Sequence, residues 1–207
     1  MIKIFHVPNS RSLRVIWLME ELEEPYEVET IMIPLDDTFR ARSPTASVPT
    51  IVDGDIVMGE SIAILQYLTG CRLQKSLELK ITVGPRPDPA AYAEHLQFLH
   101  MGESSLMAPL AILWVTRRRA PADQQTNFTA DLIEQRLARR MGALEEKLAD
   151  GRTWITGENF TIADISVGSA LVFAREFGLD ALLGPKASAY LDRVQARPAY
   201  QRAAARS

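Results

Sequence analysis

Few side chains in this sequence have the chemistry of metal ligands or strong nucleophiles. The 207 residues include one cysteine, Cys71, and three histidines, and none of the histidines is paired at a metal-ligand spacing. His95 and His100 are five residues apart in a predicted helix, so they do not share one helix face. We therefore expect no metal site. A single cysteine also excludes an intrachain disulfide, which is typical of a protein from a reducing compartment.

Hydroxyl and amide side chains cluster instead where helices are predicted to begin. Asn9, Ser10 and Ser12 precede a predicted helix, and Ser61, which follows Glu60, begins another. Helix N-termini carry free N–H groups and a positive potential, which favour bound anions. Residues of these types also cap helices and form turns, so their positions alone leave both roles open.

Alternating strands and helices must position these residues in the first part of the chain. A strand, a helix without glycine or proline, and a second strand predict a parallel pair with a crossover connection. An Asp-Gly turn signal then predicts a β-hairpin, and another helix follows it. The predicted elements are strands 2–5, 26–33, 50–52 and 56–58, and helices 13–23 and 61–69.

The second part of the chain reads as helices only. An apolar stripe from Tyr92 to Leu113 predicts a long helix that Pro109 should bend. Thr161 and Asp164 have the spacing of a capping box at the start of a later helix. Because three prolines interrupt the pattern between the two parts, we predict a domain over 1–78, a linker over 79–89 and an all-helical domain over 90–207.

Three motifs resemble the glutathione S-transferase family. The segments 47–55 and 59–64 resemble its glutathione-binding signature, and residues 8–15 resemble the first active-site turn of its bacterial members. Thr161 to Asp164 is similar to the capping box of its helical domain. The resemblance implies an α/β plus all-α fold, in which a thioredoxin-like N-terminal domain binds glutathione. An all-helical C-terminal domain would supply the pocket for an electrophile, usually in a homodimer.

The resemblance assigns glutathione contacts to the first domain. The Val48–Pro49 bond is expected to be cis, so that the Val48 backbone pairs with the extended peptide as an added strand. Glu60 and Ser61 are expected at the glutathione site, where the Ser61 hydroxyl and backbone would bind the α-carboxylate of the γ-glutamyl group, although both residues could simply serve their own helix. Ser47 and Arg40 are candidates for the glycine end. Ala46 stands where many family members have glycine.

The chemistry implied by the resemblance is activation of the glutathione thiol. A thiol with a pKa near 8.5 is only slightly ionised at neutral pH, so a donor must stabilise its thiolate. The family uses tyrosine, serine or cysteine, and Cys71 lies too far along the chain to serve. Ser10 is the first candidate, and Asn9 and Ser12 remain open alternatives.

A second group of candidates lies on the long helix. Glu103 falls inside the apolar stripe, where an acid is costly unless paired. Either Glu103 or Ser104 is expected to line a dimer cleft, or Glu103 simply pairs with an arginine at the boundary of the stripe. Apolar side chains nearby are candidates for the electrophile pocket, although core packing explains them equally well. These candidates are Met107, Ala111 and Trp114.

Composition narrows the classes of function. A net charge of −3 gives no electrostatic reason to expect nucleic acid or a membrane as partner, and the start lacks a secretory signal, which indicates a cytoplasmic protein. We predict a glutathione transferase acting on small apolar electrophiles. The alternatives are a glutathione-dependent disulfide reductase or dehalogenase on the same site, and a non-catalytic binding protein with this fold.

Overall fold

A computed structural model describes residues 1–43, 45–72 and 88–206 of the chain. These residues form two compact units. The first contains the described residues of Met1–Val83 and Gln195–Ser207, and the second those of Gly84–Val194. The predicted linker over 79–89 lies outside the described residues except for its last two positions.

A four-stranded sheet is the frame of the first unit. Its strands are β1 (Ile2–His6), β2 (Tyr26–Thr30), β3 (Thr50–Asp53) and β4 (Ile56–Met58), in the order β2-β1-β3-β4. β1 runs parallel to β2, with Ile4 opposite Val28, and antiparallel to β3. The predicted parallel pair and the predicted hairpin of β3 and β4 are both confirmed.

Three helices follow the strands of the first unit. They are α1 (Leu13–Leu22), α2 (Asp37–Arg42) and α3 (Ser61–Tyr67), the last continuing as a π-helical turn over Leu68–Arg72. The sequence did not predict α2, which is only six residues long and is capped by the Asp36 side chain. β2 is shorter than predicted and is followed by a second cis bond, Ile33–Pro34.

The second unit consists of helices. They are α4 (Pro89–Met101), α5 (Ala108–Arg119), α6 (Phe128–Leu148), α7 (Ile162–Glu176) and α8 (Pro185–Gln195), and they are followed along the chain by α9 (Pro198–Ala204), which is part of the first unit. α4 and α5 are joined by a π-helical segment over Gly102–Met107. In that segment the Ala108 N–H donates to the Glu103 carbonyl, five residues back, so the ladder is already shifted before Pro109. The missing N–H of Pro109 is thus accommodated inside a continuing helical stretch.

The helical stretch Pro89–Arg119 is long and apolar enough, by length and composition, to cross a membrane. Its buried side chains include Leu99, Leu106 and Leu110, and α4 packs against α7. A core helix of a globular protein passes the same test, so this feature alone does not assign the chain to a membrane.

The predicted capping box at the start of α7 is confirmed, and Asp164 has further partners. Its carboxylate is fully buried and accepts from the Thr161 N–H at 2.8 Å, the Ile155 N–H at 2.8 Å and the Tyr190 hydroxyl at 2.9 Å. Asp164 thereby joins the start of α7 to the preceding loop and to α8.

The C-terminal helix α9 belongs to the first unit, although the sequence predicted it as part of the helical domain over 90–207. Tyr200 packs edge-on against Trp17 of α1 at 5.1 Å between ring centroids. Arg197 makes a two-pronged ion pair with Glu21 at 2.6 and 2.7 Å, and Arg202 pairs with Glu20. α9 is short and contacts α1 mainly through side chains. Its sequence pattern therefore does not indicate which unit it packs against.

Asp164→Ala is expected to lower the free energy of unfolding by about 3 kcal/mol, because it leaves buried N–H groups of Ile155 and Thr161 without an acceptor. Asp131→Ala removes an exposed first-turn acid of α6 and should cost less than about 1 kcal/mol. Urea unfolding of both variants measures the difference, and equal losses would contradict the role given to Asp164.

The stability contributed by Asp164 should also depend on pH. Burial raises the pKa of its carboxyl from 3.8 to about 6, against the opposing effect of its hydrogen bonds. Between these two pKa values the folded state binds more protons than the unfolded state. The contribution of Asp164 to the free energy of unfolding is therefore largest below pH 4 and falls as the pH rises to 6. The free-energy difference between the parent and Asp164→Asn should therefore shrink across that window, and a growing difference would contradict the raised pKa.

Candidate functional site

The turn between β1 and α1 presents the three predicted donors in different ways. Asn9 has a left-handed backbone, with φ 58°, and is exposed. Ser10 is half-buried, and Ser12 is completely buried. Ser12 occupies the N-cap position of α1, but its hydroxyl makes no capping hydrogen bond. The structure therefore distinguishes the surroundings of Ser10, the first candidate, from those of Asn9 and Ser12.

The Ser12 hydroxyl is the centre of a buried hydrogen-bond network. Its oxygen lies 2.8 Å from His6 Nδ1 and 2.6 Å from Ser10 Oγ. The Val7 N–H donates to it at 3.3 Å, and the Ser12 N–H donates to Ser10 Oγ at 3.3 Å. The His6 ring is fully buried, and burial lowers its pKa, which keeps the imidazole neutral at pH 7.

Ser61 is the first residue of α3 and not its N-cap, because Glu60 holds the N-cap position with φ 64°. Glu60 is exposed and makes no side-chain capping bond, so neither residue satisfies the first N–H groups of the helix in the way that the sequence allowed. Ser61 is instead buried, and its hydroxyl oxygen accepts a hydrogen bond from Arg14 Nη1 at 2.9 Å. Arg14 is itself completely buried in α1.

The Val48–Pro49 bond is cis, as predicted. The segment before it is held by side-chain hydroxyls, since Ser43 Oγ lies 2.8 Å from Thr50 Oγ1 and Thr50 donates to the Ser47 carbonyl at 2.8 Å. Val48 is half-buried, and no described residue forms a hydrogen bond with its backbone N–H or carbonyl. A peptide edge is thus present at this position.

The remaining candidates for glutathione contacts lie at the surface of the first unit. Arg40 is exposed and donates from Nε to the Leu35 carbonyl at 3.0 Å. Ser47 Oγ lies 2.7 Å from Thr45 Oγ1. Ala46 has φ 48°, a left-handed conformation that glycine adopts without a steric penalty, which gives a physical reason for the glycine common at this position.

The candidates predicted for an electrophile pocket or dimer cleft belong to the second unit. Met107 is buried, whereas Glu103, Ala111 and Trp114 are half-buried. Ser104 is exposed, and its hydroxyl donates to the His100 carbonyl at 2.9 Å. The Trp114 ring packs edge-on against Phe177 at 4.9 Å. Burial of Met107 and aromatic packing of Trp114 fit the core role that the sequence also allowed.

A cavity of about 440 Å³ in the second unit is lined by none of these candidates. Its wall includes Glu94, Phe98, Met101 and Lys147, and Glu94 and Lys147 form an ion pair at 2.6 Å. Within the described parts of the chain, no three histidine, cysteine or carboxylate side chains are grouped as a metal site would require.

Sequence reasoning missed two residues that support the site. Neither His6 nor Arg14 was singled out as a candidate from the sequence. Arg14 did carry a signal, because it is the single charged residue in the run Leu13 to Met19. The geometry of the His6 ring, by contrast, has no sequence signature.

Comparison with protein families matches both units. The model for the Glutathione S-transferase, N-terminal domain, matches residues 10–70, and that for the Glutathione S-transferase, C-terminal domain, matches residues 107–198. Glutathione S-transferase GstB of Escherichia coli (strain K12) is 25% identical over 98% of this chain and 97% of its own length. Glutathione S-transferase 3 of Schizosaccharomyces pombe is 26% identical over 79% of this chain and 70% of its own.

Solved structures share the fold. A glutathione S-transferase from Actinobacillus pleuropneumoniae superposes with a TM-score of 0.82 at 25% identity, covering 100% of this chain and 92% of its own. A glutathione transferase from Burkholderia graminis, with two glutathione molecules bound per subunit, gives 0.83 at 23% identity over 98% of this chain and 87% of its own. The sheet with its flanking helices is thus a thioredoxin-like domain, and a helical domain follows it. The chain belongs to the glutathione S-transferase family.

Proposed function

We propose that this protein is a glutathione transferase that stabilises the thiolate of glutathione for attack on small apolar electrophiles. The observation that carries the proposal is the pair formed by Ser61 and the buried Arg14 at the start of α3. The relative from Burkholderia graminis binds glutathione in the same fold, which supports the choice of ligand.

Ser61 is suited to a carboxylate because its oxygen already accepts from Arg14. A hydroxyl has one proton to donate, and the Ser61 proton goes to no acceptor among the described residues. The guanidinium charge 2.9 Å from this oxygen adds a favourable potential for an anion. The α-carboxylate of the γ-glutamyl group is the natural anion in glutathione, and the Val48 backbone would pair with the cysteinyl part of the peptide.

Ser10 is the candidate best suited to stabilise the thiolate. Ser12 is completely buried and surrounded by its own hydrogen-bond partners, so its hydroxyl does not face a ligand. Ser10 lies at the more accessible end of the same network. A hydroxyl donor beside the N-terminus of α1 supplies both a hydrogen bond and a positive potential to a sulfur anion.

Ser61→Ala should weaken glutathione binding by about 1 to 3 kcal/mol, which is the loss expected for one hydrogen bond to a charged group. Titration calorimetry measures the affinity, and circular dichroism checks that the fold is intact. Ser188→Ala is the control, because it removes a hydroxyl from the first turns of α8 in the second unit. Equal affinities for Ser61→Ala and the parent would leave Ser61 without a role in binding.

Ser10→Ala should raise the thiol pKa of bound glutathione by one to two units, equivalent to about 1.4 to 3 kcal/mol, with little change in affinity. The ultraviolet absorbance of the thiolate, followed against pH, reports this pKa directly. Asn9→Ala should shift this pKa less, because Asn9 lies outside the hydroxyl network formed by Ser10 and Ser12. A large shift in Asn9→Ala and none in Ser10→Ala would transfer the role to Asn9.

Activity is tested by turnover of a panel of aryl and alkyl halides with glutathione, followed by loss of free thiol. A transferase shows turnover that falls in Ser10→Ala. Tight binding without turnover would favour the non-catalytic alternative, and no binding at millimolar glutathione would remove the proposal.

A further inference from the structure

A continuous chain of hydrogen bonds leads from a buried ring to the accessible serine. His6 ends β1, and its Nδ1 is 2.8 Å from Ser12 Oγ, which is 2.6 Å from Ser10 Oγ. Both His6 and Ser12 have no exposed surface. The direction of the hydrogen bonds in this series decides whether Ser10 offers a ligand its proton or a lone pair.

The Ser12 hydroxyl has one proton and two lone pairs to share. One lone pair accepts from the Val7 N–H. The proton and the other lone pair are then divided between His6 and Ser10. Ser12 therefore accepts from one of these two residues and donates to the other. Donation from Ser12 to the Val7 carbonyl, 3.3 Å away, would require the oxygen to accept three bonds in order to keep both shorter contacts.

The two directions correspond to the two neutral tautomers of His6. With the proton on Nδ1, His6 donates to Ser12 and Ser12 donates to Ser10. Ser10 Oγ also accepts from the Ser12 N–H, so both of its lone pairs are used and only its proton remains for a ligand. With the proton on Nε2, Ser10 donates to Ser12 and has only a lone pair left to offer.

The burial of His6 Nε2 distinguishes these tautomers. Nε2 has no hydrogen-bond partner among the described residues. A proton there would be a buried donor without an acceptor, which is among the rarest and most costly arrangements in folded proteins. A proton on Nδ1 leaves only a lone pair unpaired, and it satisfies Ser12.

We propose that His6 is a positioning residue whose Nδ1–H tautomer directs the Ser10 hydroxyl proton outward, as a donor to the sulfur of the bound thiolate. The inference rests on the proposed function and names a residue that sets its donor. No proton moves along the chain in this scheme, because a buried imidazole is a poor acceptor and its pKa is lowered. His6 acts by orientation alone.

The first test measures the tautomer in the free protein, without glutathione. Nitrogen NMR of protein labelled in the histidine ring distinguishes a protonated from an unprotonated ring nitrogen, and the spectrum of His6→Phe assigns the resonances. We expect Nδ1 to be protonated and Nε2 unprotonated. A proton on Nε2 would overturn the inference whatever the variants do.

The second test measures the thiol pKa of bound glutathione. His6→Phe should raise this pKa by about one unit, the effect of losing one oriented hydrogen bond. His6→Asn keeps an amide donor near the Nδ1 position, so its thiol pKa should stay close to that of the parent. His6→Phe should have no further effect in a Ser10→Ala background. His100→Phe replaces an exposed histidine and is the matched control.

These outcomes keep the two proposals apart. A parent protein that binds no glutathione, or binds it with an unshifted thiol pKa, removes the proposed function and the role of His6 with it. A parent that lowers the thiol pKa while His6→Phe leaves it unchanged, or while the effects of His6→Phe and Ser10→Ala are additive, overturns only the role of His6.

Discussion

The candidate site of the first unit depends on the hydrogen bonds made by the Ser12 hydroxyl. It lies where β1 ends and α1 begins, without exposed surface, and it contacts groups from both sides of the turn. A buried hydroxyl is tolerated only when its donor and acceptors are satisfied, so the positions of His6 and Ser10 are constrained together. The turn is consequently held by side-chain hydrogen bonds. Because the Ser12 hydroxyl takes part in them, it does not cap α1.

The same helix, α1, supports both ends of the candidate site. Its N-terminus presents Ser10, and one residue into the helix Arg14 extends through the core to Ser61 at the start of α3. Burying a guanidinium is costly unless polar groups surround it, and the Ser61 hydroxyl is one such group for Arg14. At the other end of α1, Glu20 and Glu21 pair with arginines of α9, so the C-terminal residues of the chain help to hold the helix that carries the site.

Periodicity was sufficient to predict the main elements but not the contacts made by single polar residues. The strands and α1 followed from runs of apolar and β-branched residues, and the α7 capping box followed from Thr161 and Asp164, because these signals are local. α2 was missed since six residues carry less than two turns of pattern. Capping of α3 was one of the two roles left open for Ser61, yet its hydroxyl is engaged by Arg14, 47 positions away in sequence. Contacts over such separations depend on packing and leave no spacing to read.

The two serines proposed to bind glutathione illustrate one principle in two forms. Ser61 Oγ accepts from a cation, and Ser10 Oγ accepts from the Ser12 N–H and, with His6 protonated on Nδ1, also from the Ser12 hydroxyl. A serine whose oxygen is occupied by donors from the protein can offer its proton outward, and it then favours anions over neutral ligands. The carboxylate and the thiolate of glutathione are both anions. Under the proposed function, donors from the protein already engage each hydroxyl oxygen, which is preorganisation of the kind that stabilises a charged state without rearrangement when the ligand binds.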